Sequence, residues 1–141
     1  MPSASRPERF VNAARLRPWA PYALLFLAPA LWHFPLLLGR LPDFMDTVTQ
    51  LYPYRIAAAR QLRDGTLPLW LPNQFAGMPL AANPQVSIWY PPQFLFYLSP
   101  NPFGNGLVVL FHYIWAGIGA FLFLRMCGAR RMESAYAGLT F

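Results

Sequence analysis

Two apolar runs constrain this chain more than any other feature. The first is Pro18 to Leu38, PWAPYALLFLAPALWHFPLLL, and the second is Leu107 to Leu124, LVVLFHYIWAGIGAFLFL. A helix needs about 20 apolar residues to cross the hydrocarbon core of a bilayer, and both runs approach that length. Only 11% of the 141 residues are charged, less than half of the roughly 25% usual in soluble domains. The apolar residues are also clustered rather than dispersed, which points away from a soluble core. The expected fold is an all-α membrane protein: transmembrane helices at 18–39 and 107–124, and the start of a third at 135–141. A long outer loop, 40–106, joins the first two.

The net charge of +6 comes from arginine alone, since the chain has no lysine. The arginines flank the apolar runs instead of forming one basic patch, so lipid phosphate and the positive-inside rule explain them better than a nucleic-acid partner. Arg6, Arg9, Arg15 and Arg17 precede the first run; Arg125, Arg130 and Arg131 follow the second. The rule places the 1–17 tail and the 125–134 turn in the cytoplasm and the loop outside. Arg40, Arg55, Arg60 and Arg63 lie in that loop, where charges weigh little on orientation because the loop is long. A cleaved signal peptide does not fit. The first apolar body exceeds the usual ~7–15 residues, and no small-x-small site follows it. Pro21, Pro29 and Pro35 are tolerated in a membrane span at the cost of bends. The chain stops at Phe141 with its third apolar segment barely begun, so it is expected to be the N-terminal piece of a larger polytopic protein. Cys127 is the sole cysteine, which leaves no internal disulfide and no cysteine-cluster metal site.

Within the loop, 53–64 reads as a helix. Proline suits its first position, Ala57-Ala58-Ala59 favours the helical state and Gly65 suits its end. Leu51, Tyr54, Ala58 and Leu62 recur at helical spacing, as expected of an amphipathic helix lying flat on the membrane with Arg60 and Arg63 on another face. Asp43 to Tyr52 is expected to form a short turn that breaks at Tyr52, the residue before a proline. From Leu67 to Pro102 prolines are too frequent for long elements. Aromatic residues stand between them, as in a rigid loop at an interface, and a short helix is expected near Pro92 to Leu98.

Five clusters occur in fixed order: Asp46-x-x-x-Gln50-x-x-Pro53, Gly65-x-x-Pro68-Leu69-Trp70-x-Pro72, Phe75-x-Gly77-Met78-Pro79, Ala82-Asn83-Pro84-Gln85 and Tyr90-Pro91. In their order and spacing, and in the apolar runs on either side, the chain resembles the YfhO-type bacterial membrane proteins over residues 20 to 141. Leu71 departs from the family's frequent Asn. The family is related to the GT-C glycosyltransferases. The resemblance implies a protein of the bacterial cytoplasmic membrane that moves a sugar from a polyprenyl-phosphate carrier to a cell-envelope acceptor on the outer face. The alternative is a non-catalytic scaffold, or a component of a lipid or polymer transporter.

Carried over by position, the resemblance puts the general base on Asp46, with Asp43 as the fallback. Such a transfer needs a carboxylate to take the acceptor's proton and positive charge to stabilise the departing phosphate. Arg55, Arg60 and Arg63 are the candidates for the phosphate, since Arg makes bidentate contacts with it. Gln50, Asn83 and Gln85 are candidates for sugar hydroxyls, and Trp70 for stacking on the sugar. Each has a plainer role as well: capping for Asp46, lipid anchoring for Arg60 and Arg63, loop bonding for Gln50 and Asn83, and the interfacial aromatic belt for Trp70. His33 and His112 lie in or near the spans, where bonding between helices is the expected role. No ligand spacing suggests a metal site and no cofactor is expected. The expected partners are membrane lipid, the lipid-linked sugar and the remainder of the protein's own chain.

Overall fold

Proline and glycine set the boundaries of the helices. The computed structural model describes residues 19–41 and 44–140; the N-terminal arginines and Asp43 lie outside the described residues. Helix α1 spans Ala20–Trp32 and a single turn, α2, spans Phe34–Leu37. The first apolar run is thus interrupted at His33 instead of continuing as one helix. Pro35 has no N–H to give to the carbonyl four residues earlier, and its ring crowds that carbonyl. At about 1.5 Å per residue, the 13 residues of α1 reach roughly 20 Å, short of the ~30 Å hydrocarbon core. Among the described residues one helix is long and apolar enough to cross a membrane: α5, Pro102–Met126, 25 residues whose most apolar 18-residue stretch has a mean hydropathy of 2.1. Helix α6, Arg131–Thr140, follows it.

The segment Thr47–Leu51 is π-helical and runs directly into α3, Tyr52–Arg63. The expected break at Tyr52 does not occur. The Tyr52 N–H bonds to the carbonyl of Thr47, five residues back, and Tyr52 keeps helical dihedrals. The wider turn accommodates the donor that Pro53 lacks, so the chain stays helical through the proline. Two short strands, β1 (Trp70–Leu71) and β2 (Met78–Pro79), pair antiparallel with Trp70 opposite Pro79 and Leu71 opposite Met78. A 3₁₀ turn, Pro91–Gln93, leads into α4, Phe94–Leu98.

Three apolar clusters hold these elements together. Tyr54 and Ala58 of α3 pack with Leu80, Val86 and Ile88 of the proline-rich segment. Ala59 packs with Phe96 of α4 and Val108 of α5. Tyr54 and Ala58, the centre of the apolar stripe of α3, are therefore buried in the protein's own loop because the proline-rich segment folds back over them, while Leu51 and Leu62 at its ends stay partly exposed. The third cluster joins Leu25, Phe121 and Ala135 of α1, α5 and α6. There α5 and α6 touch backbone to backbone. A Cβ on Gly138 would lie 2.6 Å from the carbonyl oxygen of Gly117 and 2.7 Å from Leu25. Small residues that let helices approach this closely are a feature of packing in lipid. Gly138→Ala is expected to lower stability by about 1–3 kcal/mol, the usual cost of overpacking. Denaturant unfolding in detergent checks this, with Gly119→Ala as the control, since a Cβ at Gly119 meets nothing within 4 Å.

Candidate functional site

The π-helical turn sets Asp46 and Gln50 at the start of the α3 rod. Both side chains are exposed. Asp46 stands where an N-cap would, yet its carboxylate accepts no capping hydrogen bond. The capping role open to it is thus not the one it plays. Thr49 instead ties the turn together, its hydroxyl donating to the Met45 carbonyl at 2.7 Å. π-Helical turns recur at functional sites in proteins.

Nine residues further on, Arg55 lies half-buried between α3 and the first turn of α5. Its Nη1 donates to Oδ1 of Asn105 at 2.9 Å. Asn105 is itself only 2% exposed. The Nε of Arg55 is buried and has no hydrogen-bond partner. A guanidinium carries five N–H donors and no acceptor, and here the buried Nε donor is unspent. Among the described residues no carboxylate pairs with it. Burial holds its pKa below the ordinary arginine value, and the neighbouring Tyr97 hydroxyl acts in the opposite direction. Burial in turn raises the Tyr97 pKa. Taking an unpaired charge partly out of water is costly, and an anion docked against Arg55 would offset that cost.

Arg60 and Arg63 occupy the last turn of α3. With Ile56, Ala59 and Pro100 they line a cavity of about 190 Å³. Pro100 stands two residues before α5 begins, so these cations sit at the level where the apolar helix starts. Cations at a helix C-terminus also meet the negative end of its dipole.

The remaining candidates are not gathered around Arg55 or this cavity. Asn83 is held locally, its Oδ1 accepting the Gln85 backbone N–H at 3.0 Å in an Asx turn. The Gln85 side chain is exposed. The Trp70 ring lies against Gly77, and its carbonyl accepts Nε2 of Gln61 at 2.9 Å. Asp46 does not touch Arg55. Along a helix their separation is about 13 Å at 1.5 Å per residue, part of which the long arginine side chain spans.

Asn105 and Tyr97, the groups around Arg55, were not legible in the sequence. Asn105 falls just before the second apolar run, and nothing in its spacing links it to a residue 50 positions earlier. Gln93, 1% exposed with an unpartnered Nε2, was likewise missed. His112 makes its bonds within α5 and to the loop. Its Nδ1 lies 2.6 Å from the Val108 carbonyl and its Nε2 2.8 Å from the Tyr90 hydroxyl. A carbonyl only accepts, so Nδ1 carries the proton and Nε2 accepts from Tyr90. His33 packs on Tyr113 of α5, the ring centroids 4.1 Å apart. Among the described residues no three metal-ligating side chains converge.

Among the described residues these features define a mostly helical protein with one helix suited to crossing a membrane and an arginine without a counter-charge beside that helix's first turn. No family model, no curated protein and no solved structure matches the chain.

Proposed function

We propose that the chain belongs to a multi-pass bacterial membrane protein of the YfhO type. In this reading it moves a sugar from a polyprenyl-phosphate carrier to a cell-envelope acceptor outside the cell. The observation that carries the reading is Arg55, a half-buried cation that, among the described residues, has one neutral partner and a buried, unpaired Nε. It is suited to gripping the carrier's phosphate near the membrane surface. Arg60 and Arg63 extend the positive field towards the start of α5. Asp46, uncommitted to any cap, is the proposed base, with Gln50 one turn away for the sugar. The first apolar run, though broken at His33, crosses the membrane together with α2 in this reading, its N-terminal side in the cytoplasm.

Asp46→Asn in the intact protein, reconstituted with lipid-linked sugars, is expected to lower transfer about 10²–10⁴-fold, the usual worth of a general base. Insertion and carrier binding stay unchanged. Transfer at the original rate removes Asp46 from the mechanism. The exposure of Asp46 and its lack of contact with Arg55 favour a second reading, a carrier-binding protein without catalysis. Carrier binding with no transfer in the unsubstituted protein distinguishes that one.

A further inference from the structure

Between β1 and β2 the backbone does something costly. Phe75 and Ala76 are consecutive and both have positive φ, 50° and 60°, and Gly77 follows at 113°. For residues with side chains this region costs of order 1–3 kcal/mol each and persists only where the surroundings impose it. Here they do. The Gly77 N–H bonds to the Gln74 carbonyl at 2.7 Å, and the Ala81 N–H to the Leu69 carbonyl at 3.3 Å. The Trp70 ring covers Gly77. Leu71 and Met78 pack onto the Tyr54–Ala58–Leu80 cluster, and Gln61 ties the Trp70 carbonyl to α3. The base of the hairpin is thus fixed to the core. The result of the strain is a phenylalanine projected outward, 84% exposed, with Leu67, Leu69 and Trp70 each more than half exposed beside it.

We infer that this hairpin is a membrane finger: Phe75 inserts into the lipid leaflet that the start of α5 enters. Three observations favour lipid over a protein partner. No Asp, Glu, Lys or Arg stands between Asp64 and Arg125, so the hairpin lacks the charged rim usual at protein interfaces, and no charge opposes its entry into hydrocarbon. Its strands have two residues each, too short an edge to template a peptide strand. A cationic anchor for lipid phosphate also stands close to it in the chain. Arg60 and Arg63 meet Pro100 where α5 begins, and the hairpin leaves α3 only a few residues beyond Arg63. As a membrane finger, the hairpin puts the phenyl ring below the plane in which the guanidinium groups would meet lipid phosphate. Burying such a side chain is worth about 1.5–3 kcal/mol, comparable to the strain that presents it.

The inference rests on the membrane reading of α5 but not on sugar transfer. The test uses the intact protein in phosphatidylglycerol-containing vesicles, with the exposed Cys127 replaced by serine and a nitroxide attached at Phe75→Cys. A second label at Gly119→Cys, where a Cβ has open space, reports on α5. Accessibility to oxygen and to a water-soluble nickel chelate is read at both. The expected result is high oxygen and low nickel accessibility at 75, approaching the ratio at 119. High nickel accessibility at 75 with a lipid-like signal at 119 overturns the finger alone. Low accessibility to both reagents at 75 overturns it in favour of a protein partner. An aqueous signal at 119 overturns the membrane reading, and the finger falls with it.

Discussion

Replacing Gly104 by alanine is expected to destabilise the protein by about 3 kcal/mol or more, at or beyond the upper end of the usual overpacking range. A Cβ there would lie 1.9 Å from the Ser99 carbonyl oxygen. That atom is backbone, so no side-chain rotation relieves the clash, and the corner between α4 and α5 has to open. The same corner is locked by Asn101, whose Oδ1 accepts the Gly104 N–H at 3.0 Å. Losing that N-cap contributes about 1 kcal/mol of the total. Asn105 is the next residue, so the opening also moves the side chain to which Arg55 donates its hydrogen bond. Thermal unfolding in detergent measures the first effect, and weakened carrier binding by the surviving folded protein measures the second. Unchanged stability would mean that the α4–α5 corner is not as tight as described.

Arg55→Met is expected to separate function from stability. Methionine keeps much of the side chain's length while removing the charge and its unsatisfied donor. A buried unpaired donor costs about 1–3 kcal/mol, and removing it offsets the loss of the Asn105 bond. Stability should therefore stay within about 1 kcal/mol of the original protein. The paired replacement Arg55→Met with Asn105→Leu should be at least as stable, since no buried polar group is then left without its partner. Binding of the lipid-linked phosphate behaves differently. A hydrogen bond to a charged group is worth about 1.5–3 kcal/mol, so affinity should fall roughly 10- to 100-fold. Lysine should restore little of it, because it lacks the planar fork. Vesicle-based binding and denaturant unfolding on the same samples give both numbers. A loss of several kcal/mol of stability with intact binding would make Arg55 a structural residue and remove the basis of the proposed function.

Local sequence chemistry foretold a good part of the helical architecture. The pattern from Pro53 to Gly65 implies a helix, and one is present over Tyr52–Arg63; the short aromatic helix near Pro92 corresponds to α4. These depend on proline placement, alanine content and terminal glycine, which act within a few residues. The same reasoning failed at Tyr52, where the expected break is absent, while the interruption at His33 accords with the bend expected from Pro35. A proline either breaks a helix or is absorbed by a wider turn, and the choice depends on what packs around it.

By itself the sequence determined the charge-poor, arginine-flanked character of the chain, a helix over 107–124, which the structure extends to Pro102–Met126, and the irregular course of the proline-rich segment, because each follows from composition and short-range sterics. Only the tertiary structure decided that Tyr54 and Ala58 of α3 are buried under their own loop. It alone brought Arg55 to Asn105 across 50 residues and turned Phe75 outward on a strained tip. Those outcomes depend on which surfaces meet once the chain folds back on itself, and no local pattern carries that information.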